Sequence, residues 1–106
     1  PAVSAARAVG IETLLTFLLT LTIFGAAVDA RAPSGFAGVA IGLVVVAGVW
    51  IGGAATGGSM NPARSLGPAL LAGGVPLASW WIYLVGPVLG AQLAALLHAF
   101  VAPRET

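Results

Sequence analysis

Residues 57–71 read GGSMNPARSLGPALL, and this stretch decides the fold. Its first part contains too much glycine for a stable helix. Asn is a preferred N-cap and Pro is favoured at the first helical position, so Asn61-Pro62 predicts a helix start. The apolar run that follows, residues 62–71, would form a helix about 15 Å long, which is about half the thickness of a hydrocarbon core. A helix of that length cannot cross a membrane by itself.

The composition places this stretch inside a membrane protein. Of the 106 residues, 59% are hydrophobic and 7% are charged, whereas a soluble domain carries about 25% charged residues. Between Ala32 and Pro103 the only formal charge is Arg64. These values exclude a free soluble domain and a disordered chain. A net charge of +1 without any Lys, and the absence of Cys, predict no nucleic-acid partner, no disulfide and no thiol nucleophile.

Three apolar segments around this stretch are long enough to cross a bilayer, at residues 8–28, 36–53 and 80–101. Trp80, Trp81 and Tyr83 cluster at the start of the last one, as interfacial aromatic residues do. Three glycine pairs at i, i+4 spacing predict close packing of the spans: Gly38/Gly42, Gly48/Gly52 and Gly86/Gly90. We therefore predict an all-α integral membrane protein with three transmembrane helices plus one re-entrant half-helix, residues 62–71 within the segment 54–72.

Two placements of residues 54–72 are open, a re-entrant segment and a helix lying flat at the interface. Arg64 lies one turn into the predicted helix, where exposure to lipid would cost several kcal/mol, so it needs water or carbonyl partners. Glu12, near one end of the first span, needs hydrogen-bond donors unless it snorkels to the interface. A glycine-rich strand with unpaired N–H groups offers such donors. Both charges therefore favour the re-entrant placement.

In this setting Asn61-Pro62-Ala63-Arg64 resembles the second half of an aquaporin, in the major intrinsic protein family. The resemblance covers about residues 9–101 and looks most like archaeal and some bacterial aquaporins. It implies a fold of six spans and two half-helices in two inverted repeats, of which residues 1–106 are the second. The other matching elements are Gly10-Ile11-Glu12, Ala40-Ile41-Gly42-Leu43, residues 58–69, and Val85-Gly86-Pro87 with Gly90.

The resemblance implies a function as well. It indicates a channel, not an enzyme, through which water and small neutral solutes such as glycerol or ammonia permeate passively while ions and protons are excluded. The partners it implies are the lipid bilayer, the missing first repeat and, in the complete protein, the other subunits of a homotetramer. The location it implies is a prokaryotic plasma membrane, crossed several times. No cofactor and no metal site are expected.

The resemblance also assigns the pore motif to Asn61, Pro62 and Ala63. An Asn61 side chain that caps the half-helix keeps its NH₂ group free to donate to a passing water. The positive end of the helix dipole disfavours cations at that point. The carbonyls of Gly57, Gly58 and Ser59 correspond to the pore's ladder of acceptors. Glu12 corresponds to the buried structural carboxylate that holds the N–H groups of the same strand.

By the family's spacing the selectivity filter falls at Val49, Gly58 and Arg64. Arg64 is a permanent charge and a multiple donor, so it repels cations and binds water. Strict water channels usually carry His where this chain has Val49, and Gly58 has no side chain. The resemblance therefore predicts a wider and more apolar filter, which admits glycerol or ammonia beside water.

Two other functions stay open at this point. A small multidrug-type, proton-coupled exporter would use Glu12, but it needs a fourth full-length span between Gly53 and Trp80. The Gly-Gly, Asn-Pro and Gly-Pro steps interrupt that window. A non-conducting fragment or membrane anchor is the second alternative, because the sequence contains only half a pore. His98 lies near the end of the third span and receives no role.

Overall fold

The structure is a computed structural model that describes residues 3–101, apart from the side chain of Val75. Within that range it is helical and contains no β-strand. The elements are α1 (Ala5–Ile23), a π-helical turn (Phe24–Val28), α2 (Ala37–Gly52), α3 (Pro62–Ala72), α4 (Gly74–Ala78) and α5 (Trp80–Val101). The first two and the last five residues of the predicted repeat 1–106 lie outside the described residues.

Helices occur at the four predicted places, with differences at their ends. The segment Ala5–Val28 has 24 residues and Pro76–Val101 has 26, and both are long and apolar enough to cross a membrane. Helix α2 has 16 residues, about 24 Å, and is shorter than a full span. It begins after Gly35, whose φ is 81°, and its last turn leads into the turn at residues 53–56. The short helix α4 was not predicted.

Glycines bring α1 and α5 into close contact. A Cβ atom on Gly86 would lie 2.7 Å from the Cβ of Glu12 and 3.2 Å from the Val9 carbonyl oxygen. A Cβ on Gly90 would overlap the carbonyl oxygen of Thr13. Small residues at these positions let the two helix backbones approach each other, as is usual in membranes.

The two predicted glycine pairs of α2 have different surroundings. Gly48 and Gly52 are buried, and a Cβ on Gly48 would lie 2.9 Å from the Sδ atom of Met60. Gly38 and Gly42 have nothing within 4 Å of the position of a Cβ. In the described part of the chain, Gly38 and Gly42 therefore make none of the close helix contacts that their spacing predicts.

We predict that Gly86→Ala lowers the midpoint of thermal unfolding in detergent, because the added methyl group meets the α1 backbone. Overpacking of this kind costs about 1–3 kcal/mol. Gly42→Ala is the matched control, since its methyl group points into open space and Ala favours a helix by up to ~1 kcal/mol. Equal effects of the two substitutions would contradict the packing described here.

Apolar side chains cover the outside of the helices, while the largest fully buried side chain is the carboxylate of Glu12. Trp50 is 87% exposed and Phe100 is 91% exposed. Few apolar side chains are buried, among them those of Leu15 and Ile82. This distribution is the reverse of that in a soluble domain, and it suits helices surrounded by lipid or by further membrane helices.

The polar turn after α1 is connected to the end of α5. Arg31 donates to Asp29 with 2.7 Å between Nη2 and Oδ2, and this hydrogen bond holds the pKa of the Asp29 carboxyl well below its usual range. The His98 ring stacks on Phe24 with 4.9 Å between the ring centroids. Its Nε2 atom lies 3.8 Å from Asp29 Oδ2. His98, to which the sequence assigned no role, thus links the ends of α1 and α5.

Candidate functional site

The chain between α2 and α3 is an extended segment with an unusual backbone. It follows the turn at residues 53–56 and ends at the N-cap of α3. Gly57, Gly58 and Met60 have φ angles of 87°, 61° and 55°. A left-handed conformation costs a non-glycine residue roughly 1–2 kcal/mol, so Met60 is held in place by its surroundings. Its side chain is buried against Gly48.

Glu12 of α1 holds the middle of this segment. The Ser59 N–H donates to Oε1 at 3.0 Å, and the Met60 N–H donates to Oε2 at 3.1 Å. Both carboxylate oxygens are therefore engaged, and Glu12 is 0% exposed. Hydrogen bonds to a charged group contribute about 1.5–3 kcal/mol each. The carboxylate also satisfies two main-chain donors that no helix of the described residues pairs.

Asn61 caps helix α3. Its Oδ1 atom accepts from the N–H groups of Ala63 at 2.9 Å and Arg64 at 3.3 Å. Pro62 occupies the first turn, as the sequence predicts. The Ser65 hydroxyl donates to Ser59 Oγ at 2.6 Å. The Ser59 hydroxyl in turn donates to the Asn61 carbonyl at 2.7 Å. The Asn61 NH₂ group donates to no other group among the described residues, so it remains available to a ligand.

The structure brings the three predicted filter residues together, with Gly58 in the middle. Arg64 Nη1 donates to the Gly58 carbonyl at 3.0 Å and lies 3.5 Å from the Ser59 carbonyl oxygen. Gly58 also lies close to α2, because a Cβ on Gly58 would lie 2.9 Å from Val49 Cα and 3.2 Å from the Gly48 carbonyl oxygen. The sequence explained Gly58 by filter width alone. Its positive φ and this close approach to α2 are two further reasons for glycine.

The predicted carbonyl ladder is partly occupied by protein groups. The carbonyls of Gly58 and Ser59 face the Arg64 guanidinium, whereas the Gly57 carbonyl accepts no hydrogen bond from a group of the described residues. A carbonyl oxygen has two lone pairs, so each of these oxygens can still accept from a ligand. Arg64 thus has carbonyl partners of the kind that the sequence predicts for its charge.

Two aromatic residues of α5 contact the same segment, and the sequence interpreted them only as interfacial. The Tyr83 hydroxyl donates to the Thr56 carbonyl at 2.6 Å, and Trp80 Nε1 donates to the Pro62 carbonyl at 2.9 Å. The Thr56 hydroxyl accepts from the Gly58 N–H at 3.2 Å. The residue types themselves could have predicted such contacts, because a Tyr or Trp whose ring packs against protein usually finds a hydrogen-bond partner for its O–H or N–H group.

A cavity of about 460 Å³ lies between α3 and α5. Its polar lining comes from both helices and from the extended segment, and includes Thr56, Ser59, Arg64, Ser65, Trp80 and Tyr83. Val49, Gly58 and Asn61 do not line it. The cavity therefore shares only Arg64 with the predicted filter and lies beside the surface that carries the pore motif.

The sequence of this chain matches a known family over nearly its whole length. The model of the family described as "Major intrinsic protein" covers residues 1–98. The chain belongs to the major intrinsic protein family. Members of the family are multi-pass membrane proteins, which agrees with the apolar surface of the helices. Membership also removes the small multidrug-type exporter from the alternatives, as does the length of α3, which has 11 residues.

Several curated members of the major intrinsic protein family are similar to this chain. Aquaporin AqpM of Methanothermobacter thermautotrophicus is 47% identical over 105 residues, which is 95% of this chain and 43% of that protein. Aquaporin AqpM of Methanothermobacter marburgensis is 45% identical, with the same two shares. Nodulin-26 of Glycine max is 49% identical over 90 residues, 85% of this chain and 32% of that protein. The chain thus spans less than half the length of these relatives.

Proposed function

We propose that this chain is the second repeat of a channel through which water and small neutral solutes cross a membrane passively. The observation that carries the proposal is the arrangement of Asn61, Arg64 and the Gly58 carbonyl. They lie in one anchored segment, at the point where a helix begins. The two Methanothermobacter relatives that are named aquaporins support it.

Each part of this arrangement has a role in selection. The free NH₂ group of Asn61 donates to a passing water or hydroxyl, and the main-chain carbonyls accept from it. The N-terminus of α3 presents a partial positive charge, and the Arg64 guanidinium adds a full one. Together they oppose cations and protons while neutral molecules exchange hydrogen bonds with the pore.

In the proposed architecture α1 and α5 span the membrane, α2 spans it together with the turn at residues 53–56 that extends it, and α3 is re-entrant. Helix α3 has 11 residues, about 16 Å, so it reaches only the middle of the bilayer. Buried Glu12 and the carbonyl partners of Arg64 support this placement, because irregular backbone is tolerated at that depth only where protein or a water-filled cavity surrounds it.

The proposal extends to the complete protein. In it a first repeat completes the pore, four complete chains form a homotetramer, and the membrane is a prokaryotic plasma membrane.

We further propose that the filter admits glycerol or ammonia beside water. Val49 is an apolar side chain, 36% exposed, where a strict water channel would carry His. Gly58 adds no side chain at all. A filter with an apolar wall on this side has room for a solute larger than water.

Val49→His is expected to lower glycerol flux more than water flux, because the imidazole narrows the constriction and adds a polar group. The measurement is stopped-flow light scattering of liposomes that contain the complete two-repeat channel. Ile51→His is the matched control, since Ile51 is exposed and lies on the other face of α2. Unchanged fluxes in Val49→His, or the same change in both variants, would show that Val49 is not part of the filter.

A further inference from the structure

We infer that Tyr83 and Trp80 are positioning residues of the pore, which hold Arg64 in place from α5 through the main chain. This inference rests on the proposed channel function and goes beyond the pore motif and the filter. It assigns part of the selectivity to a helix whose side chains do not belong to the filter.

The first observation is a series of three hydrogen bonds, linked through the covalent structure of Thr56 and Gly58, that leads from α5 to Arg64. The Tyr83 hydroxyl donates to the Thr56 carbonyl at 2.6 Å. The Thr56 hydroxyl accepts from the Gly58 N–H at 3.2 Å, and the Gly58 carbonyl accepts from Arg64 Nη1 at 3.0 Å. Tyr83 is therefore connected to Arg64 through two residues of the extended segment. The connection is mechanical, because Thr56 and Gly58 each take part through two different groups that are joined by covalent bonds.

The second observation is that α5 holds both ends of the same segment. Tyr83 and Trp80 are three residues apart on a helix, so they lie on one face. Trp80 Nε1 donates to the carbonyl of Pro62 at 2.9 Å, two residues before Arg64. The contacts at Thr56 and Pro62 enclose residues 57–61, and Glu12 holds the centre of that stretch from α1.

The third observation is that a cavity separates part of the segment from α5. The cavity of about 460 Å³ lies there, and both aromatic side chains line it together with Arg64. Within the described range, the hydrogen bonds of Tyr83 and Trp80 are the ones that join residues 56–62 to α5. Removing a hydroxyl or an indole N–H should therefore let Arg64 move, while the helices stay packed through Gly86 and Gly90.

Tyr83→Phe in the complete two-repeat channel tests this inference. We expect the ratio of glycerol flux to water flux to rise by about 2- to 10-fold, the range that one neutral hydrogen bond represents. The midpoint of thermal unfolding is measured in parallel, and the ratio is compared at equal amounts of folded protein. A merely structural Tyr83 would change the unfolding midpoint or the yield but leave the flux ratio unchanged.

Further variants test whether Tyr83 acts through Arg64. Thr56→Val interrupts the same chain without touching α5, so it should raise the ratio as Tyr83→Phe does, and the double variant should raise it no further. In an Arg64→Ala channel, Tyr83→Phe should have no additional effect. Thr56→Val also removes the 3.3 Å bond from the Thr56 hydroxyl to the Gly52 carbonyl, so if Tyr83→Phe yields too little folded protein, Trp80→Phe with Trp81→Phe as its control decides the matter.

Trp80→Phe and Trp81→Phe form a matched pair, because Trp81 is exposed and donates no hydrogen bond among the described residues. Trp80→Phe should raise the flux ratio and Trp81→Phe should not. The inference would be overturned if Arg64→Ala changed the ratio of glycerol flux to water flux while Tyr83→Phe and Thr56→Val left that ratio unchanged. If the unmodified channel carried no water flux above the lipid background, the proposed function itself would fail.

Discussion

Replacing Glu12 with Ala is expected to abolish folded, detergent-stable protein before any change in selectivity can be measured. The substitution leaves the N–H groups of Ser59 and Met60 without the carboxylate that they now contact at 3.0 Å and 3.1 Å. A buried donor without a partner costs about 1–3 kcal/mol. Met60 also loses the contact that offsets its left-handed backbone. The measurement is thermal unfolding in detergent, followed by size-exclusion chromatography.

Thr16→Val is the matched control for Glu12→Ala. Thr16 lies one turn further along α1 and is also buried, but its hydroxyl has no partner among the described residues. Removing that hydroxyl should leave stability unchanged or raise it slightly. The unfolding midpoint of Glu12→Gln should lie between those of Glu12→Ala and Thr16→Val, because an amide offers one acceptor oxygen where the carboxylate offers two. An unaltered unfolding midpoint in Glu12→Ala would refute the bracing role.

Liposomes that contain only these 106 residues are expected to show little or no selective water conduction, and conduction should appear when a first repeat is supplied. Asn61 and Arg64 are exposed in this chain, so in the proposed channel they would form one wall of a passage that the first repeat closes. Selectivity requires that a narrow constriction surround the solute on all sides. Osmotic shrinkage followed by light scattering measures the flux, and a pH-sensitive dye inside the liposomes reports proton leakage.

The background for this experiment is set with a variant that combines Asn61→Ala and Arg64→Ala. Inhibition by mercury would be uninformative, since the chain has no cysteine. Flux well above that background with protons excluded would overturn the half-pore interpretation. It would indicate instead two copies in opposite orientations, which reproduce the geometry of an inverted repeat.

Signals that lie close together along the chain were sufficient for much of the fold. An apolar composition with one formal charge between Ala32 and Pro103 indicates a membrane protein. The start of α3 depends on Asn61 and Pro62 alone, because a cap is formed by neighbouring residues. The segment predicted at residues 80–101 coincides with α5. These features are determined by residues that are neighbours in the chain, so they can be predicted from the sequence.

The resemblance to a family extended the sequence interpretation to distant contacts. Nothing local connects Glu12 with residues 47 and 48 positions later in the chain, yet its carboxylate lies on the N–H groups of Ser59 and Met60. The roles assigned to Val49, Gly58 and Arg64 in the filter stay predictions, although the structure brings the three residues together. Flux measurements on Val49 and Arg64 variants are what can test them.

The tertiary structure alone decided which polar groups meet across the fold. Tyr83 and Trp80 have the composition of an interfacial cluster, and only the packing of α5 beside the extended segment aims their polar atoms at carbonyls 27 and 18 residues away. The same holds for Gly58, whose need for a bare backbone comes from the approach of α2. Capping and apolarity depend on sequence neighbours, whereas these contacts depend on how helices far apart in the chain pack together.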